Sequence, residues 1–337
     1  MTTSDAMISN SKAQFFKIPN FRNVDATGDP TAYIEFLDRF ATERRDMIDI
    51  GLDLLNLSPG SPVLDVGCGH GATLPALATR VGPTGHVTGI DLSKDLVAEG
   101  HRRLIGTGLS VQIKVGNVQS LDFPNAAFDA TRADRVLAFV PEPASALLEL
   151  ARVTRPGGRV VVTEPDLGAS MVDSSDASTT REVLANVCAG FPNPWVGRQL
   201  RALFLDAGLV DVEVRYFTAM NTSLAEWYGR MGVDDALRTS VDSGRISAVS
   251  AKAWIDELLG RDAEGRFFSA NTFCMVAGTQ PESQLNSATA DVKLVVALMV
   301  KFTRPFCRLD LSVFDDGLQY GADPDSNEPP RRVASCA

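Results

Sequence analysis

Pro62-Val63-Leu64-Asp65-Val66-Gly67-Cys68-Gly69-His70-Gly71-Ala72 is the stretch on which the architecture turns. Val63 to Val66 reads as a short buried strand, and a helix is expected to start near Ala72. Between them, glycines at 67, 69 and 71 let the backbone approach a ligand with no Cβ in the way. In an open α/β sheet the ligand crevice lies beyond the carboxyl ends of the strands, where this turn falls. The spacing is GxGxG rather than the GxGxxG of dinucleotide folds, and Ala72 stands in place of the third glycine. Asp65, at the mouth of the turn, is a poor neighbour for a pyrophosphate and a good one for a cation.

Outward from this turn, strands and helices alternate. His86 to Ile90 reads as a second strand, with Ser93 placed to cap a helix over 94–105. Val111 to Val115 is a third strand and Phe128 to Ala133 a fourth. A helix over Ala144 to Val153 stops at Arg155-Pro156-Gly157-Gly158, and Arg159 to Thr163 is a fifth strand. This alternation predicts an α/β fold, a doubly wound parallel sheet covered on both faces. Helical character follows over 174–207, then strands at Val210 to Phe217 and Arg266 to Ala277. Residues 218–264 between them read as helical, with Ala251, Trp254, Ile255, Leu258 and Leu259 on one face. Upstream, Tyr33, Ile34, Leu37 and Phe40 recur at helical spacing, as do Ile48, Leu52 and Leu55. The domain reading is a disordered 1–13, a helical lid over 14–57, a core over 58–280 with 218–264 as a lid insert, and a largely mobile extension over 281–337.

Composition narrows the function. The 337 residues are 45% hydrophobic and 22% charged, as expected of a globular enzyme. A net charge of −10 argues against an electrostatic grip on nucleic acid. The five cysteines are scattered and never form a CxxC pair, so neither a disulfide framework nor a zinc site is expected, and a cytoplasmic setting fits. The N-terminus lacks a signal-peptide pattern, and the apolar run Leu294 to Val300 is far short of the ~20 residues that cross a bilayer. A small-molecule substrate is the expected partner. Self-association is expected, if anywhere, through the N-terminal helices and the apolar stretch 294–306.

Asp91 ends the second strand, and its carboxylate can accept hydrogen bonds from vicinal ribose hydroxyls. Asn117, just past the third strand, is either an adenine contact or a plain turn residue. Taken together, VLDVGCGHG (63–71), TGIDLS (88–93), GNVQSLDFP (116–124), FDATRADRVLAFVPEP (128–143) and LLELARVTRPGGRVVVTEPD (147–166) resemble the successive motifs of class I S-adenosylmethionine-dependent methyltransferases. The resemblance is greatest to the small-molecule group that includes ubiquinone and menaquinone biosynthesis. It implies a seven-stranded Rossmann-like sheet of order 3-2-1-4-5-7-6, strand 7 antiparallel. It also implies S-adenosylmethionine as cofactor and S-adenosylhomocysteine as product. Asp65, Gly67, Cys68 and Gly69 would contact the methionine part, Asp91 and Leu92 the ribose and adenine, and Asn117 and Val118 the adenine. The segment Ala133 to Arg135 would line the methionine side. The N-terminal helices and the insert would roof the acceptor.

Methyl transfer at a sulfonium carbon needs positioning, a dry pocket and a nucleophile relieved of its proton. Of the three histidines, His86 is expected to be structural, His70 to face solvent, and His101 to lie on a helix remote from the cofactor loops. Glu164 and Asp166, at the carboxyl end of the fifth strand, are the better candidates for a base, although Glu164 could instead orient cofactor or lid. Tyr33 and Tyr228 could touch substrate. Trp195, Trp227 and Trp254 favour an apolar or aromatic acceptor. No metal is expected, since Asp166, Asp173 and Asp176 read as a polar loop and helix cap. The expected reaction is O-, N- or C-methylation of a natural-product or quinone-like acceptor needing little activation. A terpenoid or prenyl C-methyltransferase, a methylation-coupled cyclase, a non-methylating cyclase scaffolded by the sulfonium and an NAD-type oxidoreductase are the alternatives.

Overall fold

The computed structural model describes residues 21–282. The expectations for 1–13 and for 294–306 lie outside the described residues, as does all but the start of 281–337. Five short parallel strands build the centre: β1 (Pro62–Val66), β2 (His86–Asp91), β3 (Val111–Val115), β4 (Phe128–Asp134) and the first half of β5 (Thr154–Val172). The sheet is completed by β6 (Val210–Asn221) and β7 (Ser269–Thr279) in the order β3-β2-β1-β4-β5-β7-β6, with β7 antiparallel to both of its neighbours. β5 runs on past Thr163, where the sequence placed its end, because β7 continues to pair with it as far as Val172.

Both faces of the sheet are covered, as alternation of its buried residues requires. Leu64, Val66, Val160, Val162 and Val276 point to one side, against α5 (Pro143–Val153) and α7 (Val196–Asp206). Val63, Val87, Val161 and Met275 point to the other, against α2 (Arg45–Leu54) and α3 (Leu74–Val81). The helix expected near Ala72 thus starts two residues later. The helix α4 (Lys94–Leu104) is capped as predicted: Ser93 Oγ accepts the Leu96 N–H at 3.1 Å.

Two further features sit at the carboxyl ends of the strands. A 3-10 helix (Phe21–Thr27) and α1 (Thr31–Glu43) lie over the glycine turn. The insert folds as α8 (Leu224–Met231), α9 (Val233–Asp242) and α10 (Ala248–Ala263), which pack with α6 (Ala177–Ala189) around Trp227, Trp254 and Phe267. The apolar faces of α1 and α2 are covered within the chain itself: Tyr33, Phe40, Ile48 and Leu52 are all buried.

Candidate functional site

After β1 the chain turns on Gly67, Gly69 and Gly71, whose φ values of +67°, +57° and +80° lie where only glycine rests without strain. The turn is tied to β2: Cys68 N–H donates to Ile90 O at 3.0 Å and Gly69 N–H to Asp91 Oδ2 at 2.8 Å. It is also tightly covered. A Cβ at Gly67 would collide with Val136, and one at Gly69 would lie 2.9 Å from Leu37 Cδ1 of α1. Asp91 Oδ1 accepts the Ser93 N–H at 2.9 Å, so each carboxylate oxygen holds one N–H and keeps a second lone pair for another donor. Burial pushes the Asp91 carboxyl up, and the N–H groups of Ser93 and Gly69 hold it down. Asp25 of the 3-10 helix, which no sequence signal singled out, accepts hydrogen bonds from Ser93 Oγ and the Lys94 N–H, bringing the N-terminal segment to the same crevice.

Asp65 corrects one expectation. Its cation is supplied by the chain: Arg132 Nη1 donates to Asp65 Oδ1 at 2.8 Å, and Thr73 Oγ1 donates to Asp65 Oδ2 at 2.8 Å. Arg132 also reaches Asp134, whose other oxygen accepts the Arg135 Nε at 3.3 Å. Two carboxylates and two guanidiniums therefore alternate along one wall. Arg132 and Asp134 share a face of β4, and Asp65 is in register with Arg132. That register is the signal that could have found the pair. Ala133 points the other way, into the core beneath the sheet, and offers the site only its backbone.

Arg135 is held at φ +58°, with its N–H donating to Thr163 O at 2.7 Å. Its guanidinium carbon stands 3.4 Å from the centroid of the Phe40 ring, and burial pushes its pKa down. Glu164 explains the strained loop. It is fully buried, and its oxygens accept the N–H groups of Val136 at 2.8 Å, Leu137 at 2.6 Å and Ala138 at 3.2 Å. Burial pushes its pKa up to about 8, against the pull of those three donors. Glu164 orients the loop after β4 and does not present a free carboxylate. Asp166 is likewise committed, to a two-pronged pair with Arg198 at 2.7 Å on both oxygens. Neither is the open base that sequence reasoning sought.

Other expectations shift with packing. His70 is buried rather than facing solvent, its Nε2 3.1 Å from Asp38 Oδ1, because α1 closes over the turn. Burial and nearby Arg103 push its pKa down. Tyr33 is buried edge-on to Phe21, with ring centroids 5.0 Å apart. The Tyr228 hydroxyl donates to Asp234 inside the insert, and Trp227 and Trp254 are core residues there, so only the half-exposed Trp195 is open to solvent. Asn117 Oδ1 accepts the Gln119 N–H at 3.0 Å, the geometry of a turn residue, while Val118 packs inward and Leu92 is exposed. Cys68 Sγ packs toward Gly89, and burial pushes its thiol pKa up. Asp176 caps α6.

Beside Gly67 and Arg135 lies a cavity of about 40 Å³, walled on the other side by Leu37, Ala41 and Ile48. Ligand pockets run to about 300 Å³ or more, so this cavity alone is smaller than a nucleoside site. An aromatic strip runs past Arg135. Ring centroids run from Phe273 to Phe40 (5.8 Å), Phe36 (6.2 Å), Phe21 (5.5 Å) and Phe139 (5.9 Å). The residues fit a nucleoside without phosphates: a glycine turn that a Cβ would block, a carboxylate at Asp91 with lone pairs to spare, and a wall in which Asp65 and Asp134 neutralise Arg132 and Arg135.

A methyltransferase-domain family model matches residues 57–205. The chain is 35% identical over 246 residues to an uncharacterised 37.1 kDa protein of a transposon in Streptomyces fradiae, covering 72% of this chain and 70% of that protein. It is 30% identical over 221 residues to the demethylmenaquinone methyltransferase of Geobacillus stearothermophilus, covering 59% of this chain and 90% of that enzyme. In fold it is similar to the YcgJ protein of Bacillus subtilis, with a TM-score of 0.53 at 17% identity over 71% of this chain and all of that one.

Proposed function

The chain belongs to the class I S-adenosylmethionine-dependent methyltransferase family, and from that premise we propose that it transfers the methyl group of S-adenosylmethionine to a small aromatic or quinone-like acceptor. The observation that supports the cofactor reading is the link between Gly69 and Asp91, which sets a carboxylate with spare lone pairs against a turn with no room for side chains. Asp91 would take the ribose hydroxyls through its remaining lone pairs. The backbones of Leu92 and Val118 would border the adenine. Gly67 to Gly69 and the Arg132–Asp134 wall would border the methionine part. When bound, S-adenosylmethionine supplies an electrophilic methyl group on sulfur.

The chain's own work is positioning and drying. Glu164 fixes the loop after β4, and Asp38 ties α1 to α4 by accepting from both Nη atoms of Arg103 at 2.7 and 2.8 Å. The N-terminal helices and the insert would close over the acceptor and exclude water. Aligning two reactants in such a pocket is worth about 7–11 kcal/mol at best. The relationship to a demethylmenaquinone methyltransferase and the phenylalanine strip both support a flat, apolar acceptor.

S-adenosylhomocysteine at a hundredfold excess over its Kd should stabilise the protein by about 2.7 kcal/mol, visible as a thermal shift that NAD does not produce. Asp91→Ala should weaken that binding by roughly 10- to 100-fold, the loss of charge-assisted hydrogen bonds. A shift with NAD, or S-adenosylhomocysteine binding indifferent to Asp91, would overturn the cofactor reading. Methyl-labelled S-adenosylmethionine should then label an acceptor; product without S-adenosylhomocysteine release would mark a scaffolded cyclase instead.

A further inference from the structure

Among the described residues the carboxylates around Arg135 are already engaged, while its own guanidinium has donors to spare. Glu164 accepts three N–H groups, Asp166 pairs with Arg198, and Asp65 pairs with Arg132 and Thr73. His70 sits against Asp38 under α1. Arg135 is different. Among the described residues its guanidinium donates only through Nε, at a long 3.3 Å, and that to an Asp134 already engaged by Arg132. Among the described residues no acceptor takes a hydrogen bond from its Nη1 or Nη2, although the side chain is only 19% exposed. It lines the cavity beside the glycine turn, one face stacked on Phe40 at 3.4 Å with Phe36 5.9 Å away.

We propose that Arg135 receives an ionised oxygen of the acceptor, so that the substrate is an aromatic or enolic acid bound as its anion. The inference rests on the methyltransferase reading and adds the acceptor's charge. A planar guanidinium with two parallel donors matches a carboxylate or a phenolate–carbonyl pair, and the partly buried setting strengthens the bond. The phenylalanine strip beside it suits the flat body of such a molecule. The arrangement also removes the need for a base. The acceptor gives up its proton to solvent as it binds, and its oxygen lone pair then forms the O–CH3 bond while the S–CH3 pair returns to sulfur. The other charged groups facing Arg135 are Asp134, Arg132 and Glu164, and none of them is placed to accept from its Nη atoms.

The test uses the full chain loaded with S-adenosylhomocysteine and two probes with the same ring system, 2-naphthoate and 2-naphthamide, measured by titration calorimetry. Naphthoate should bind at least roughly tenfold more tightly. That preference should vanish in Arg135→Met and partly survive in Arg135→Lys, which keeps the charge but not the fork. A role limited to shaping the loop would weaken both probes alike. Equal binding of the two probes, or binding of neither, overturns the proposal. The cofactor's own carboxylate is the rival anion, and 5′-methylthioadenosine, which lacks it, separates the two. If Arg135→Met loses affinity for S-adenosylhomocysteine but not for methylthioadenosine, Arg135 serves the cofactor and the proposal falls. If the wild-type protein binds neither nucleoside, the methyltransferase reading itself fails.

Discussion

Glu164 carries a large electrostatic tension. Its carboxyl is pushed from 4.5 to about 8 by complete burial, while three backbone N–H groups draw it toward ionisation. Below pH 4.5 the group is protonated both folded and unfolded, so its burial costs no charge. Between pH 4.5 and 8 the unfolded chain has released the proton and the folded chain retains it, so stability is lost as pH rises. Glu164→Gln keeps the two bonds to Oε1 and gives up the longer one at Ala138. Wild-type stability should therefore fall relative to Glu164→Gln from pH 5 to 8, by on the order of 4 kcal/mol in total. Melting temperatures across that range decide it: parallel curves for the two proteins would mean that the N–H donors outweigh burial. The sequence made this position visible but not its role. Gly67, Gly69, Gly71 and Asp91 were legible because strand, turn and strand end are local patterns. The partners of Glu164 lie 26 to 28 residues away, and the Asp65–Arg132 pair spans 67. Such pairs exist only once a parallel register is known.

At the scale of elements, α1 is what distinguishes this site from an open crevice. Leu37 rests on Gly69, Asp38 holds Arg103 and lies 3.1 Å from His70, and Phe40 stacks on Arg135, all from about one turn of one helix. Helical spacing foretold α1 itself, but periodicity says which face is apolar and not what it covers. The burial of His70 and the corner made by Asp25 were invisible for that reason. Were a ligand to need the turn uncovered, its apparent affinity would fall with the fraction of molecules in which Leu37 has left Gly69. Leu37→Ala removes the side chain over Gly69 and should raise the association rate of S-adenosylhomocysteine roughly three- to tenfold by favouring the open state. Stopped-flow fluorescence would measure it. An unchanged rate would show that α1 does not gate the turn. Glu43, accepting from Arg230 at 2.7 Å, joins the end of α1 to α8 of the insert.

The whole molecule has more than one apolar core, and they are unequal in what they support. Two flank the sheet, and a third lies inside the insert and α6, where Trp227, Trp254 and Phe267 pack with ring centroids 5.8 to 6.5 Å apart. The order of the sheet followed from its resemblance to a known fold. That the insert would form a core of its own did not, because its aromatic residues read equally well as a substrate pocket. Trp254 is fully buried and its Nε1 donates to Thr180 Oγ1 at 2.9 Å, bridging α10 to α6. Replacing it with alanine should cost about 3–5 kcal/mol, the range for deleting a large buried aromatic. Because the packing lost belongs to the third core, the damage should stay there. Hydrogen exchange should speed up across α6 and α8 to α10 while β1, β2 and β4 keep their protection. S-adenosylhomocysteine binding, which we propose depends on the glycine turn and Asp91, should change by less than about twofold, well under the effect of losing one charge-assisted hydrogen bond. Acceptor binding, on the proposal that the insert roofs the acceptor, should fall much further. If exchange instead quickens evenly through the sheet, the insert and the sheet unfold as one unit, and cofactor and acceptor binding should then be lost together.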